Sequence, residues 1–147
     1  MTALNLPKAD LRIKNSENKQ FIFDIIRKKY VVLTPEEWVR QHIVHFLITH
    51  KKYPISLIAV ERQLTINNLK KRFDILIFNS KGVPAIIIEC KSPRVKITQE
   101  SFDQIARYNL SLDANLLMVS NGLEHFFCKL DHHHQKYLFL ASLPDYQ

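Results

Sequence analysis

Residues 72–93, RFDILIFNSKGVPAIIIECKSP, constrain the fold more than any other stretch of the chain. Two apolar runs, DILIF and PAIIIEC, flank Asn79-Ser80-Lys81-Gly82, a turn in which Gly82 supplies permissive backbone, so the segment reads as a β-hairpin. Ile, Leu or Phe at nearly every strand position leaves no face for solvent, which puts the hairpin in the middle of a sheet covered on both sides. Three charges interrupt it. Asp74 opens the first strand and Glu89 and Lys91 close the second, where an unpaired charge costs on the order of several kcal/mol unless it neutralises or finds a partner.

Strand geometry gives those charges a common purpose. Side chains alternate with a period of two, so Glu89 and Lys91 project one way and Ile88 and Cys90 the other. The hairpin brings Asp74 opposite the end of the second strand, and two carboxylates and an ammonium converge. Mg²⁺, with Mn²⁺ as a substitute, is satisfied by one or two carboxylates together with water and substrate phosphate. Such an ion activates water and offsets charge on a phosphodiester, while a neighbouring lysine orients the water or stabilises the transition state. A buried structural ion pair is the competing reading of the same residues.

Asp74 followed by Glu89-Cys90-Lys91 on the next strand resembles the PD-(D/E)XK nuclease signature, and Gln104-Ile105-Ala106-Arg107-Tyr108 matches the Q-x-x-x-Y element of some branches of that superfamily. TPEEWVRQ, ECKSP, FDQIARYN and VSNG are similar to the N-terminal nuclease domain of type I restriction enzyme motor subunits, over roughly residues 21–130. Phe73 stands where the signature often has proline. The resemblance implies an α/β fold, a restriction-endonuclease-like αβββαβ core with a central mixed sheet flanked by helices. It also implies a Mg²⁺-dependent endodeoxyribonuclease with Asp74, Glu89 and Lys91 catalytic and Asp74 and Glu89 on the metal. Relatives place a further acidic residue on the first helix, a role carried by position to Glu37, with Glu61 as a second candidate. Gln104 and Tyr108 would orient substrate or Lys91. DNA is the implied partner, with either a second copy of the chain or companion restriction subunits beside it.

Lys and Arg exceed Asp and Glu by 21 to 14, which favours a polyanionic partner, although a solvated basic surface accounts for the excess as well. Its placement adds to the argument. Lys70-Lys71-Arg72 runs directly into Asp74, and Arg94 and Lys96 follow Lys91, so phosphate contacts would lie beside the carboxylates. No apolar run is long enough to span a bilayer, and the amino-terminal residues lack a signal-peptide pattern, so a cytoplasmic location is expected. Cys90 and Cys128, widely separated in strands, are expected to be reduced and buried. Gly82 and Gly122 are the only glycines, which excludes a glycine-rich nucleotide loop and with it ATP-driven translocation by this chain.

One domain over 1–147 is expected, with a lead-in over 1–20 that is irregular apart from a short strand at 11–14, and a core at about 21–140. After a strand at 21–26 and a link at 27–30, Thr34-Pro35-Glu36-Glu37 starts a helix running to about residue 50, with Glu37 completing a capping box and Val39, Ile43, Phe46 and Leu47 as its buried stripe. The capping role alone explains Glu37. A long or bent strand over 56–66 precedes the hairpin, a helix over about 100–112 follows it, and strands at 115–120, 124–130 and 137–140 close the chain. On the second helix Gln104 and Tyr108 share a face, which looks either into a site or into water. His42, His45 and His50 are expected at the surface, and His132-His133-His134 in an exposed turn, since consecutive residues cannot all aim at one ion. A catalytically inactive nucleic-acid-binding or assembly module that keeps the fold is the alternative to the nuclease.

Overall fold

The chain forms, in order, β1 (Ile13–Ser16), β2 (Lys19–Asp24), β3 (Lys29–Val32), α1 (Pro35–Thr49), β4 (Ile58–Ile66), β5 (Leu69–Phe78), β6 (Pro84–Cys90), α2 (Gln99–Asn109), β7 (Leu116–Ser120), β8 (His125–Asp131) and β9 (Lys136–Leu140). These elements are those of a computed structural model that describes residues 1–147. Six strands make one sheet in the order β4-β5-β6-β7-β8-β9, antiparallel throughout except where β6 and β7 run parallel. A parallel neighbour requires a crossover, and α2 provides it. The expected αβββαβ core is therefore α1, β4, β5, β6, α2 and β7, with the apolar hairpin of β5 and β6 inside the sheet.

The helices lie on opposite faces. Val39, Ile43, Val44 and Leu47 of α1 pack on Ile75, Ile77, Ile86, Ile88 and Met118. Phe102 and Ala106 of α2 pack on Leu76, Ile87, Leu117, Val119 and Cys128. Val44 takes the place expected for Phe46, which is only half-buried. His42 also departs from expectation: it is buried, with its ring edge-on to Trp38 and Nδ1 2.8 Å from the Trp38 carbonyl.

Both helices start on threonine. Thr34 Oγ1 accepts the Glu37 N–H at 3.0 Å with Pro35 in the first turn, but the reciprocal half of the expected capping box does not form because the Glu37 carboxylate is drawn to arginines. The full box occurs instead at α2, between Thr98 and Ser101. That cap begins α2 one residue before the expected start, and the helix ends at Asn109.

The first 32 residues differ from the expected lead-in. β1 begins two residues later than expected, and residues 29–32 are a third strand rather than a link, so β1, β2 and β3 form a separate antiparallel meander. Glu17 and Asn18 have φ of 50° and 65°, the left-handed pair that matches a two-residue hairpin to strand twist. Lys28 at φ 57° makes the next reversal.

Gly122, in the turn from β7 to β8, has φ +88°, and a Cβ there would lie 2.7 Å from Leu4 Cδ2 and 3.1 Å from Val39 Cγ2. Its missing side chain lets the amino-terminal segment reach α1, and Asn5 N–H donates to the Gly122 carbonyl at 2.8 Å. Gly122→Ala should destabilise the fold by about 1–3 kcal/mol, a melting temperature several degrees lower; an unchanged melting curve would refute this packing account.

Candidate active site

The hairpin register sets three acidic side chains in a row across three strands. Ile75 pairs with Ile88, and one further step puts Asp74 opposite Glu89. On the other side of β5, Val60 pairs with Ile75 and Arg62 with Phe73, which puts Glu61 opposite Asp74 at the one position the ladder skips. Glu61 has φ +51°, a left-handed conformation that costs a side-chain-bearing residue and tends to persist where function requires it.

That conformation changes which face each strand presents. Before Glu61, Ile58 and Val60 point to the α1 layer; after it, Leu64 and Ile66, of the same parity, pack in the α2 layer. β5 inverts at the same level, with Phe73 in the α2 layer and Ile75 and Ile77 in the α1 layer. The outer half of the β4–β5 hairpin thereby folds toward α2. It carries Lys71 to Tyr108, with Nζ 4.3 Å from the ring centroid and 2.8 Å from Ser111 Oγ.

Glu89 and Lys91 lie on one side of β6, as the period of two requires, while Ile88 and Cys90 enter the α1 core. Lys91 Nζ is 3.6 Å from Glu89 Oε1, and the Lys91 N–H is held by the Ser120 carbonyl at 2.8 Å. Asp74 Oδ2 accepts the Cys90 N–H at 2.7 Å, which ties the first strand's carboxylate to the end of the second. Asp74 and Glu89 face each other across the ladder, close enough that each bears on the other's proton affinity. Burial raises the Asp74 pKa, with the Cys90 N–H and the Arg40 guanidinium opposing. Burial and then the charge of Asp74 push Glu89 up to about 7, with Lys91 opposing. Two half-buried carboxyls in contact hold a proton between them near neutrality and titrate as a pair.

Glu37 does not join them. Its Oε1 is 2.8 Å from Arg27 Nη2, and its Oε2 is 3.1 Å from Arg40 Nε and 3.0 Å from Gln41 Nε2. Arg27 continues to Asp24 at 2.6 Å, and Arg40 Nη1 continues to Glu61 Oε1 at 2.5 Å. The place beside Asp74 anticipated for Glu37 is held by Glu61, at the end of an alternating series Asp24, Arg27, Glu37, Arg40, Glu61. Arg40 is the residue that sequence reasoning missed. Its signal was a cation one helical turn after Glu37, on the buried side of α1.

Gln104 and Tyr108 come to Glu89, facing with it, Arg72, Ile105 and Asn109 into a cleft of about 260 Å³. Arg72, largely exposed, has Nη1 3.5 Å from Glu61 Oε2. Lys70, Arg94 and Lys96 are exposed, and Asn121 Nδ2 fastens the loop of Arg94 and Lys96 by donating to the Val95 carbonyl at 2.9 Å. The three histidines separate as expected: His134 pairs with Asp131 at 2.8 Å, His132 Nε2 lies 2.5 Å from the Ala114 carbonyl, and His133 is exposed.

No three acidic, histidine or cysteine side chains close into a full metal cage. The donor set nevertheless fits a hard divalent cation, which needs only one or two carboxylates and takes the rest of its shell from water and phosphate. Asp74 and Glu89 would hold it, and a cation there would take over the charge that the shared proton now offsets.

A helix, a three-stranded meander with a carboxylate pair at its open end, a crossover helix and a parallel strand define a restriction-endonuclease-like, nuclease-like domain. The family model of the type I restriction enzyme R protein N-terminus matches residues 35–144, and the chain belongs to that family. No curated protein matches it.

Because a raised carboxyl pKa favours the neutral form, the fold keeps this contribution below the unfolded pKa near 4.5 and loses it as pH climbs toward about 7. Glu89→Gln should therefore melt close to the parent at pH 4.5 and higher at pH 8, by an amount on the order of 1–3 kcal/mol. Mg²⁺ at pH 8 should raise the melting temperature of the parent and not of the variant. A variant that melts lower at pH 8, or responds equally to Mg²⁺, would contradict this electrostatic account.

Proposed function

We propose that this domain is a Mg²⁺-dependent endodeoxyribonuclease of the type I restriction R-subunit kind, hydrolysing DNA phosphodiester bonds. The observation that carries the reading is the register that sets Asp74 opposite Glu89 at the hairpin end, with Lys91 Nζ 3.6 Å from Glu89. A bound Mg²⁺ would supply Lewis-acid activation of water and offset the charge that develops on the phosphodiester.

Asp74 and Glu89 hold their oxygens together because the backbone N–H of Cys90 fixes one and Lys91 draws the other. The Lys91 ammonium donates to the attacking water or to a non-bridging phosphate oxygen, where added negative charge strengthens the bond. Water forms a bond to phosphorus as the bridging P–O bond breaks, and the leaving oxygen takes up a proton. Across the cleft, Gln104 offers an amide and Tyr108 a hydroxyl to orient the strand. Arg72 and Lys71, with Lys70, Arg94 and Lys96 on the rim, take phosphates and align the duplex without reading its sequence. DNA and the companion subunits of a restriction system are the partners this role implies.

Nicking of supercoiled plasmid in Mg²⁺ or Mn²⁺ tests the reading. The parent should cut, EDTA should abolish cutting, and Glu89→Ala and Lys91→Ala should each lose at least about a hundredfold. Equal residual cutting by parent and both variants would leave the chain an inactive nucleic-acid-binding module.

A further inference from the structure

The β1–β3 meander lies outside the residues that the family model matches and leaves one face of its small sheet open. Its register puts Arg12, Phe23 and Tyr30 in one row and Lys14, Phe21 and Val32 in the next, all on the same face because directly opposed antiparallel residues project together. The other face carries Ile22 and Asp24, which are fully buried. On the open face Phe21 and Phe23 are half-exposed, and Tyr30 and Val32 are exposed.

The cations are already arranged on the rings. The Arg12 guanidinium stands 5.1 Å from the Phe23 centroid, and Lys14 Nζ stands 4.2 Å from the Tyr30 centroid. Phe23 and Tyr30 pack edge to face at 5.3 Å. Residues 1–34 hold seven basic against three acidic side chains, four of the chain's net seven positive charges in less than a quarter of its length.

We propose that this face binds single-stranded nucleic acid, with bases stacked on Phe21, Phe23 and Tyr30 and the flanking phosphates held by Arg12 and Lys14. Phe21 and Phe23 are two apart on the central strand, about 7 Å, a platform spacing for successive unstacked bases. A base arriving on a ring displaces the cation above it, and that cation then has a phosphate to pair with, so neither group loses its partner. A duplex hides its base faces and has no use for the rings, and an acidic protein would use the cations alone. The series from Asp24 through Arg27, Glu37 and Arg40 to Glu61 fixes the meander to the end of the main sheet that bears Asp74. The inference requires nucleic acid as the partner and does not require catalysis.

Fluorescence anisotropy of a labelled oligothymidylate with the full chain in EDTA tests it, since binding is then read without cutting. The double variant Phe21→Leu/Phe23→Leu keeps apolar bulk and removes the π faces; its affinity should fall about tenfold or more per ring at an unchanged melting temperature. In Arg12→Gln/Lys14→Gln, which leaves the rings intact, the slope of log affinity against log salt should drop by about 1.4. Lys70→Gln/Lys71→Gln/Arg72→Gln, at the cleft and its rim, should weaken duplex binding more than oligothymidylate binding. Full oligothymidylate affinity in the leucine variant, an unchanged salt slope in the glutamine variant, or equally tight binding of a blunt duplex at the meander would each overturn the proposal.

Discussion

Two carboxylates pressed together at the open end of a buried hairpin are the constraint that the surrounding structure answers. Asp74 and Glu89 cannot both ionise cheaply in contact, and the chain surrounds them with the Cys90 N–H, the Lys91 ammonium and the Arg40 guanidinium. Each of these lowers the cost, yet burial and mutual repulsion still leave Glu89 titrating near 7. A fold optimised only for stability would place apolar side chains here, because replacing a buried charge cluster with packed hydrocarbon is often neutral or favourable by about 1–4 kcal/mol. The series of arginines and acids from Asp24 to Glu61 serves position more than stability. It locks α1 and the meander to the strand that carries Glu61.

Secondary structure leaves this pair at the open end of the strands. The parallel junction of β6 and β7 puts two strand ends side by side, with α2 crossing over the sheet between them, and crevices outside such ends are where α/β sheets bind ligands. The left-handed backbone at Glu61 turns the outer hairpin toward α2, so that Arg72, Glu89, Gln104 and Tyr108 face one cleft. Without that inversion, Phe73 and Leu64 would sit in the α1 layer and the cleft would lose its outer wall.

What could be read from sequence follows from how local the cause is. A period of two is strict, so the convergence of Asp74, Glu89 and Lys91, and the opposed burial of Ile88 and Cys90, were visible in two apolar runs and a turn. Thr34-Pro35 announced α1 for an equally local reason, and Gln104 and Tyr108 share a face through simple helical spacing. Glu37 could not be placed that way. Its pairing with Arg27 and Arg40 depends on the turn between β2 and β3, ten residues back, in a meander obscured because β3 is four residues long with two exposed at its start. Nor does a glutamate within a strand signal a positive φ, so the inversion at Glu61 had no local mark.

The central claim is that a divalent cation takes the place of the proton shared by Asp74 and Glu89. Calorimetric titration of Mn²⁺ into the native chain, in buffers of different ionisation enthalpy, counts the protons displaced. The account predicts release of about one proton per cation bound near pH 6.5, declining toward zero by about pH 9 as the pair ionises unaided. Absence of binding, or binding with no proton release near pH 6.5, would contradict it.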